Sequence, residues 1–212
     1  GNGIAVDSSG YVYVSGYFLG TASFGSISLT ASNVEGDDYI DIFIAKLNSS
    51  GSWQWVVKAG GESGADCYCV GIAVDSSGNA YVTGHFRKTA SFGITSLTAS
   101  DEAGDYNDIF IAKLNSSGSW QWAVQAGGSS YAQAYGVAVD FSGNVYAIGY
   151  FQGNATFGNT NFTSSGGRDI FIAKLNSSGS WQWAIKAGGS SDDSGNGIAV
   201  DSSGYVYVSG YF

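Results

Sequence analysis

The chain of 212 residues contains no proline, no methionine and one histidine, His85. Charged residues are scarce, at 12%. A lone histidine without a partner motif does not make a catalytic triad, and no zinc ligand set can be assembled from these residues. Helical periodicity is absent, so no phosphate-cradling loop opens a helix. No apolar run approaches the ~20 residues of a membrane helix, which argues against membrane insertion. There is no initiator methionine, signal peptide or targeting motif, and the chain begins inside a repeat. A mature fragment or excised segment is therefore expected.

Positive charge is also in short supply. Eight basic residues face seventeen acidic ones, for a net charge of -9 and a sequence pI of about 4.2. An acidic surface repels phosphate backbones, so nucleic acid is not expected as a partner. Low charge with abundant Gly, Ser and Thr points to a secreted or cell-surface protein. The two cysteines, Cys67 and Cys69, make no disulfide framework. On a strand they share a face. They read as small apolar residues, since Ala132 and Ala134 stand at the equivalent positions. A strained local disulfide or a metal contact is the alternative.

What is abundant is repetition. The fifteen residues from Asp41 to Trp55 return unchanged at Asp108 to Trp122 and at Asp169 to Trp183. A second run, Gly-Ile-Ala-Val-Asp-Ser-Ser-Gly then Tyr-Val-Tyr-Val-Ser-Gly-Tyr-Phe, spans Gly3 to Phe18. It recurs in variant form from Gly71, Gly136 and Gly197. Periods of this size decide the fold.

Each unit carries four strand signals, rich in β-branched and aromatic residues. They cover Ile4 to Asp7, Tyr11 to Phe18, Asp41 to Leu47 and Trp53 to Ala59. Apolar residues occupy both faces, as in sheets buried on both sides. The turns are Asp-Ser-Ser-Gly and Asn-Ser-Ser-Gly. Asp or Asn accepts backbone N–H bonds, and the fourth residue supplies positive φ. Structural glycines are therefore expected at Gly10, Gly51, Gly78, Gly118, Gly143 and Gly179. The fold class is all-β, with β-propeller blades of four antiparallel strands in tandem and a hairpin or flap inserted between the second and third strands.

The Gly71 to Gly84 run, the Asp-Ile-Phe-Ile-Ala-Lys-Leu-Asn segment and the closing Ala-Gly-Gly resemble the SBBP family of bacterial β-propeller repeats. They are more loosely similar to NHL-type blades. The resemblance implies a propeller in secreted or cell-surface proteins and supplies no catalytic residues. The boundaries expected are blade 1 at 1–70, with strands in 3–18 and 41–61 around an insert at 19–40. Blade 2 is 71–135, blade 3 is 136–196, and 197–212 is the first half of a fourth.

All length variation sits in the insert and the interblade link, which share one rim. The Ser-Ser-Gly turns share the other. Variable loops on a rigid scaffold commonly bind. The candidate binding residues are Asp37, Asp38, Tyr39, Asp101, Glu102, Asp105, Tyr106 and Arg168. The acidic clusters could hold Ca²⁺, but they lack fixed ligand spacing. Solvated acidic loops are the plainer reading, with no cofactor.

The pairs Trp53/Trp55, Trp120/Trp122 and Trp181/Trp183 are each expected on one strand face, plugging the interblade gap. Sugar stacking is the alternative. His85 stands where Tyr17, Tyr150 and Tyr211 occur, and reads as a packing or rim residue. Sequons at Asn48, Asn115, Asn154, Asn161 and Asn176 matter only in a glycosylating host.

Residues 1–18 are identical to 195–212. Three blades and a half do not close a ring of roughly 4 to 8. The parent is expected to be a longer array, or copies of the chain to associate as a ring or filament. The leading functional expectation is a non-catalytic structural or adhesive scaffold that engages its own copies. A glycan- or ligand-binding module follows, with surface glycans or proteins as partners. A hydrolase comes last.

Overall fold

The fold is given by a computed structural model that describes residues 1–34, 37–62, 65–101 and 103–212. At 33, 34, 37, 38 and 62 it describes the backbone alone. Unit 1 opens with β1 (Gly3–Val6) and β2 (Val12–Phe18). Its insert holds β3 (Thr21–Phe24), β4 (Ile27–Thr30), β5 (Asn33–Val34) and β6 (Asp37–Asp38), and it ends with β7 (Asp41–Leu47) and β8 (Trp53–Glu62). Unit 2 comprises β9 (Cys67–Val74), β10 (Ala80–Phe86), β11 (Thr89–Phe92), β12 (Thr95–Thr98), β13 (Asp108–Leu114) and β14 (Trp120–Gly128). Unit 3 comprises β15 (Ala132–Val139), β16 (Val145–Phe157), β17 (Thr160–Leu175) and β18 (Trp181–Ala187). The chain ends in the hairpin β19 (Ser194–Val200) and β20 (Val206–Tyr211).

Each unit is an antiparallel four-strand meander. The orders are β1-β2-β7-β8, β9-β10-β13-β14 and β15-β16-β17-β18. The Ser-Ser-Gly turns are tight because Asp or Asn caps them. Asp7 Oδ1 accepts the N–H groups of Ser9 and Tyr11, and Asn48 Oδ1 accepts those of Ser50 and Ser52. The six glycines singled out in these turns have φ between 76° and 83°. That region is costly for any side chain with a Cβ.

The inserted hairpin takes two forms. In units 1 and 2 it is separate, as β3–β4 and β11–β12. In unit 3 it is absorbed into the lengthened β16 and β17, with a register shift between Gln152 and Asn154. The insert is also more than a free loop. In unit 2, β11 pairs with the tail of β8, Thr89 facing Glu62 and Ala90 facing Gly61. In unit 3, Ala155 and Thr156 pair with Gly128 and Gly127 of β14. Each internal insert therefore extends the outer strand of the unit before it.

The two largest core clusters lie between units, and a smaller one, around Phe24, Ala45 and Val56, lies within unit 1. Tyr13, Ile42 and Ile44 of unit 1 pack with Cys67, Cys69, Val82 and Phe110 of unit 2. Tyr81, Ile109 and Ile111 of unit 2 pack with Val145, Phe151 and Phe171 of unit 3. A fully buried Phe or Ile stabilises by roughly 1.5–3 kcal/mol. The first strands of the units, β1, β9, β15 and β19, lie one against the next. Cys67 and Cys69 are free, buried thiols, so the local disulfide does not form. Burial pushes the Cys69 thiol up to about 12, which makes it an inert packing residue.

Candidate functional site

The two rims differ in what their side chains are doing. On the Ser-Ser-Gly rim, Asp7, Asp75 and Asp140 surround a hollow of about 250 Å³. Three carboxylates around a cavity invite a catalytic or metal reading, but each is committed. Asp75 accepts from the Ser77 and Asn79 backbones, from Asn79 Nδ2 and from the Tyr81 hydroxyl at 3.0 Å. Asp140 is held the same way by Ser142, Asn144 and Tyr146. Partial burial raises the pKa of both, and these donors overcome it, so both end below the ordinary aspartate range. Among the described residues no three metal-ligating side chains come together.

A second set of carboxylates is buried under the opposite rim. Asp41, Asp108 and Asp169, the first residues of the repeated 15-mer, are 0%, 1% and 0% exposed. Asp41 accepts from the Ser32 backbone and hydroxyl and from Lys58 Nζ at 2.7 Å. Asp169 accepts from the Ser165 backbone and from Lys186 at 3.1 Å. Asp108 accepts from Ser100, but Gln125 stands where the other units have lysine. Burial pushes the Asp108 pKa up, offset in part by its Ser100 and Gly128 donors. These aspartates also account for the closing Ala-Gly-Gly: a Cβ on Gly60 would fall on the Asp41 carboxylate. They clamp the end of the insert to the end of the outer strand.

The sequence-derived candidates do not gather into one site. Glu102 lies outside the described residues, as do the side chains of Asp37 and Asp38. Tyr39 is half-buried, its backbone N–H bonded to the Ser32 carbonyl. Asp101 caps its own loop, accepting from Ala103, Asp105 and Tyr106. Those bonds outweigh its desolvation and lower its pKa. Asp105 is exposed. Tyr106 meets Tyr131 edge-on at 4.9 Å. The Arg168 guanidinium lies over the Tyr150 ring, 4.4 Å from its centroid.

The variable rim instead gathers residues missed by sequence reasoning. The first strand of each internal unit carries a bulge just before the repeated glycine. Val70 is the extra residue between Cys69 and Gly71, Tyr135 lies between Ala134 and Gly136, and Asn196 lies between Gly195 and Gly197. A bulge re-aims its side chain. These three, with the equivalent Asn2, line one hollow of about 490 Å³, joined by Ser194 and Tyr211. Asn2 Nδ2 donates to the Cys69 carbonyl at 2.9 Å, and Ser194 Oγ bonds Asn196 Oδ1 at 3.2 Å. The signal was present: the position before Gly-Ile/Val-Ala-Val is Asn, Val, Tyr and Asn in turn, while its successors repeat.

Aromatics also pair along the first two strands of the units. Tyr17 meets Tyr68 edge-on at 5.0 Å, and Tyr68 stacks on His85 at 5.0 Å. Tyr135 lies 5.8 Å from Tyr150. Burial lowers the His85 pKa to about 4, so it is neutral near pH 7.

The tryptophan pairs require a correction. The two rings of a pair do not share a face. A bulge at the start of each outer strand pairs Leu47 with Trp53 but Lys46 with Trp55, leaving Gln54 extra. The alternation that puts i and i+2 together is thereby broken. Trp53 packs on Phe24 of its own insert, as Trp120 does on Phe92 and Trp181 on Phe157. The second ring reaches the next unit. Trp55 Nε1 donates to the Ser116 carbonyl at 3.1 Å, and Trp122 Nε1 donates to the Ser177 carbonyl at 3.2 Å. Trp183, at the end of the series, is 38% exposed.

Comparison with known proteins fits this geometry. The chain is 29% identical over 180 residues to an uncharacterized WD repeat-containing protein of Acanthamoeba polyphaga mimivirus, covering 77% of this chain and 12% of that protein. It is 27% identical over 126 residues to the regulatory protein FlaEY of Caulobacter vibrioides, covering 58% of this chain and 13% of that protein. The chain thus spans about an eighth of the length of these curated relatives. The SBBP beta-propeller repeat model matches residues 54–85, 121–154 and 182–211. Each match starts in an outer strand and ends in or just after the second strand of the next sheet, crossing one junction between units. The chain thus matches the SBBP beta-propeller repeat at three places, and its tandem antiparallel four-stranded units are similar to the blades of that repeat.

Proposed function

We propose that the chain is a non-catalytic interaction scaffold outside the cell, engaging partners through its variable rim. One observation carries this reading. The residues that repeat are consumed in turns, clamps and packing between units, whereas the position before the repeated glycine is Asn at 2 and 196, Val at 70 and Tyr at 135, and all four line a common hollow. The commitment of Asp75 and Asp140 to turn donors supports the non-catalytic part. Low charge and high Gly, Ser and Thr content support the extracellular part.

The test compares rims. Microspheres coated with the chain are scored for adhesion to a mucin-type glycoprotein surface. A Tyr17→Ala, Tyr106→Ala double variant of the variable rim should lose adhesion. An Asn115→Ala variant of the opposite rim should keep it. Equal behaviour of the two, with both folded by circular dichroism, overturns the reading.

Self-association is a second reading, supported by the end faces. Ile4 and Val6 are 70% and 59% exposed at one end, and Ile185 and Tyr207 are 53% and 59% exposed at the other. Faces of these two kinds meet at every internal junction, and further blades of a longer chain would cover them equally well. Light scattering on residues 1–212 should show mass rising with concentration, and Trp183→Glu should suppress the rise. A single-chain mass throughout rules this reading out.

A further inference from the structure

The hairpins β1–β2 and β19–β20 carry one sequence, since residues 195–212 repeat 1–18 without a change. Only β1–β2 is seated. β2 pairs with β7 from Val12 facing Leu47 to Phe18 facing Asp41, and Lys46 Nζ lies over the Tyr11 and Tyr13 rings at 4.2 and 4.9 Å. β19 pairs with β20 in the register of β1 with β2, but among the described residues no third strand joins them, and Tyr205, Tyr207 and Phe212 are exposed. A strand edge with unpaired backbone groups is a template for another chain. The edge of β20 is complementary to one strand, β7, in a fit the structure already contains.

Two further features of the same end lack the partners that their counterparts have. Trp55 Nε1 donates to the Ser116 carbonyl and Trp122 Nε1 to the Ser177 carbonyl, each in a turn of the next unit. The third member of this series, Trp183, is exposed and makes no such bond among the described residues. The carbonyl that matches by repeat is that of Ser49, in unit 1. The outer strands β8 and β14 end in glycine tails paired with the next insert, Gly60 facing Ser91 and Gly127 facing Thr156. β18 stops at Ala187, its Gly188-Gly189 tail pairs with no strand, and Asp193 Oδ2 accepts the Gly189 N–H at 2.6 Å. The insert strand that matches by repeat is β3, whose outer edge is also unpaired among the described residues. Hairpin, tryptophan and tail thus find their complements in one place, the insert and the last two strands of unit 1.

We propose that a second copy of the chain supplies this complement by hairpin exchange: residues 195–212 of one copy replace residues 1–18 in the seat on β7 of another, with Val206 facing Leu47. The hairpins are identical, so the contacts of the seat are kept, and Tyr207 takes over from Tyr13 the bond to the Gly78 carbonyl. The contacts of Trp183 with Ser49 and of the Gly188-Gly189 tail with Ala22 and Ser23 are added. That surplus drives the exchange, which is domain swapping of an identical element. Dilution returns each seat to its own hairpin. The proposal rests on the reading that copies associate, and it specifies the joint.

The test locks the seat in the full-length chain with Val12→Cys and Leu47→Cys, while Cys67→Ala and Cys69→Ala leave no other thiol. Directly opposed strand residues have Cα atoms about 4.5–5.5 Å apart, within reach of a disulfide. By light scattering the oxidised chain should keep a single-chain mass at every concentration. Once dithiothreitol opens the lock, the mass should rise with concentration by about twofold or more, as mass action requires. Thermal midpoints confirm that both forms are folded. Two single-cysteine chains on the same background, Leu47→Cys and Val206→Cys, give a second measurement. On oxidation their mixed dimer should exceed by about tenfold that of Val206→Cys with Ile94→Cys, because a shared seat raises the effective concentration of the thiols.

A mass that rises equally in the oxidised and reduced forms overturns the exchange and leaves association through the end faces standing. A single-chain mass in both forms also overturns it, and if the unsubstituted chain behaves likewise, association falls with it. A mixed dimer no more abundant than the Ile94→Cys control overturns the exchange as well.

Discussion

Residues 1–18 and 195–212 share one sequence and sit in different surroundings. Their hairpins have the same register, Gly3 facing Ser15 and Gly197 facing Ser209. Their turns are capped alike, with Tyr13 and Tyr207 each bonded to the turn aspartate at 3.2 and 3.1 Å. Burial separates them. Tyr13 is fully buried, also donating to the Gly78 carbonyl of the next blade, whereas Tyr207 is 59% exposed. Phe18 is 8% exposed and Phe212 is 84%. The hairpin is thus a local product of turn chemistry and strand propensity. Its place in a core is conferred by neighbours, namely β7 beside it and blade 2 over it.

Substitutions at matched positions can break or sharpen this contrast, measured as denaturant midpoints. The largest expected difference is at the tyrosine. Tyr13→Ala should cost about 3–5 kcal/mol as a large-to-small core change, while Tyr207→Ala should stay within about 0.5 kcal/mol. Comparable losses would mean that the terminal hairpin is covered in solution. Next come two turn glycines with φ of 80° and 82°, Gly51 and Gly118. Space around Gly51 is open, whereas a Cβ on Gly118 would meet the Trp55 ring at 2.9 Å. Alanine at 51 should cost about 1–2 kcal/mol for the left-handed backbone. Alanine at 118 should cost about 1–3 kcal/mol more for overpacking. A smaller effect, about 1 kcal/mol, is expected for Trp55→Phe, which loses the bond to the Ser116 carbonyl. Trp183→Phe should change stability hardly at all.

The smallest predicted effect concerns pH and sets one buried aspartate against the turn aspartates. The folded-state pKa of Asp108 is raised by burial. Its contribution is present below the ordinary aspartate value of about 4 and is lost as pH rises through the raised one. Asp75 and Asp140 have lowered values, so theirs is present above about 4 and is lost on acidification. Stability curves between pH 7 and pH 3 should therefore lose an acid-side gain in Asp108→Asn and an acid-side loss in Asp75→Asn. Shifts of the same sign would contradict this.

Much of the architecture could be read from spacing alone. The 15-mer, the Asx-type turns and the two-sided apolar strands specify antiparallel hairpins buried on both faces. The insert was legible as a hairpin, because Thr-Ala-Ser-Phe-Gly followed by Leu-Thr has strand chemistry around a turn. Its pairing onto the preceding blade was not, since two glycines at the end of an outer strand, Gly60-Gly61, read as a terminator rather than a pairing edge. The tryptophan faces were misread because period-2 alternation fails silently at a bulge, and Gln54 carries no mark of being extra. The site was missed for a related reason. The variable loops drew the eye away from Asn2, just before β1, and from Val70, Tyr135 and Asn196, single residues inside strands whose orientation depends on bulged register. Arg168 was picked out as a candidate, but its partner Tyr150 could only be found in three dimensions.

The pairing of each insert with the Gly-Gly tail before it bears on how such an array can be rearranged. A four-stranded sheet is not a self-contained part, since its outer edge is finished by residues of its successor. The portable cassette is the junction. A duplication with breakpoints inside Asn-Ser-Ser-Gly turns would carry an outer strand, the next inner hairpin and the insert that binds them. The family matches, each running from an outer strand into the following sheet, have that phase. Cut at the sheet boundaries instead, a transplanted blade would arrive with an insert fitted to a tail it had left behind.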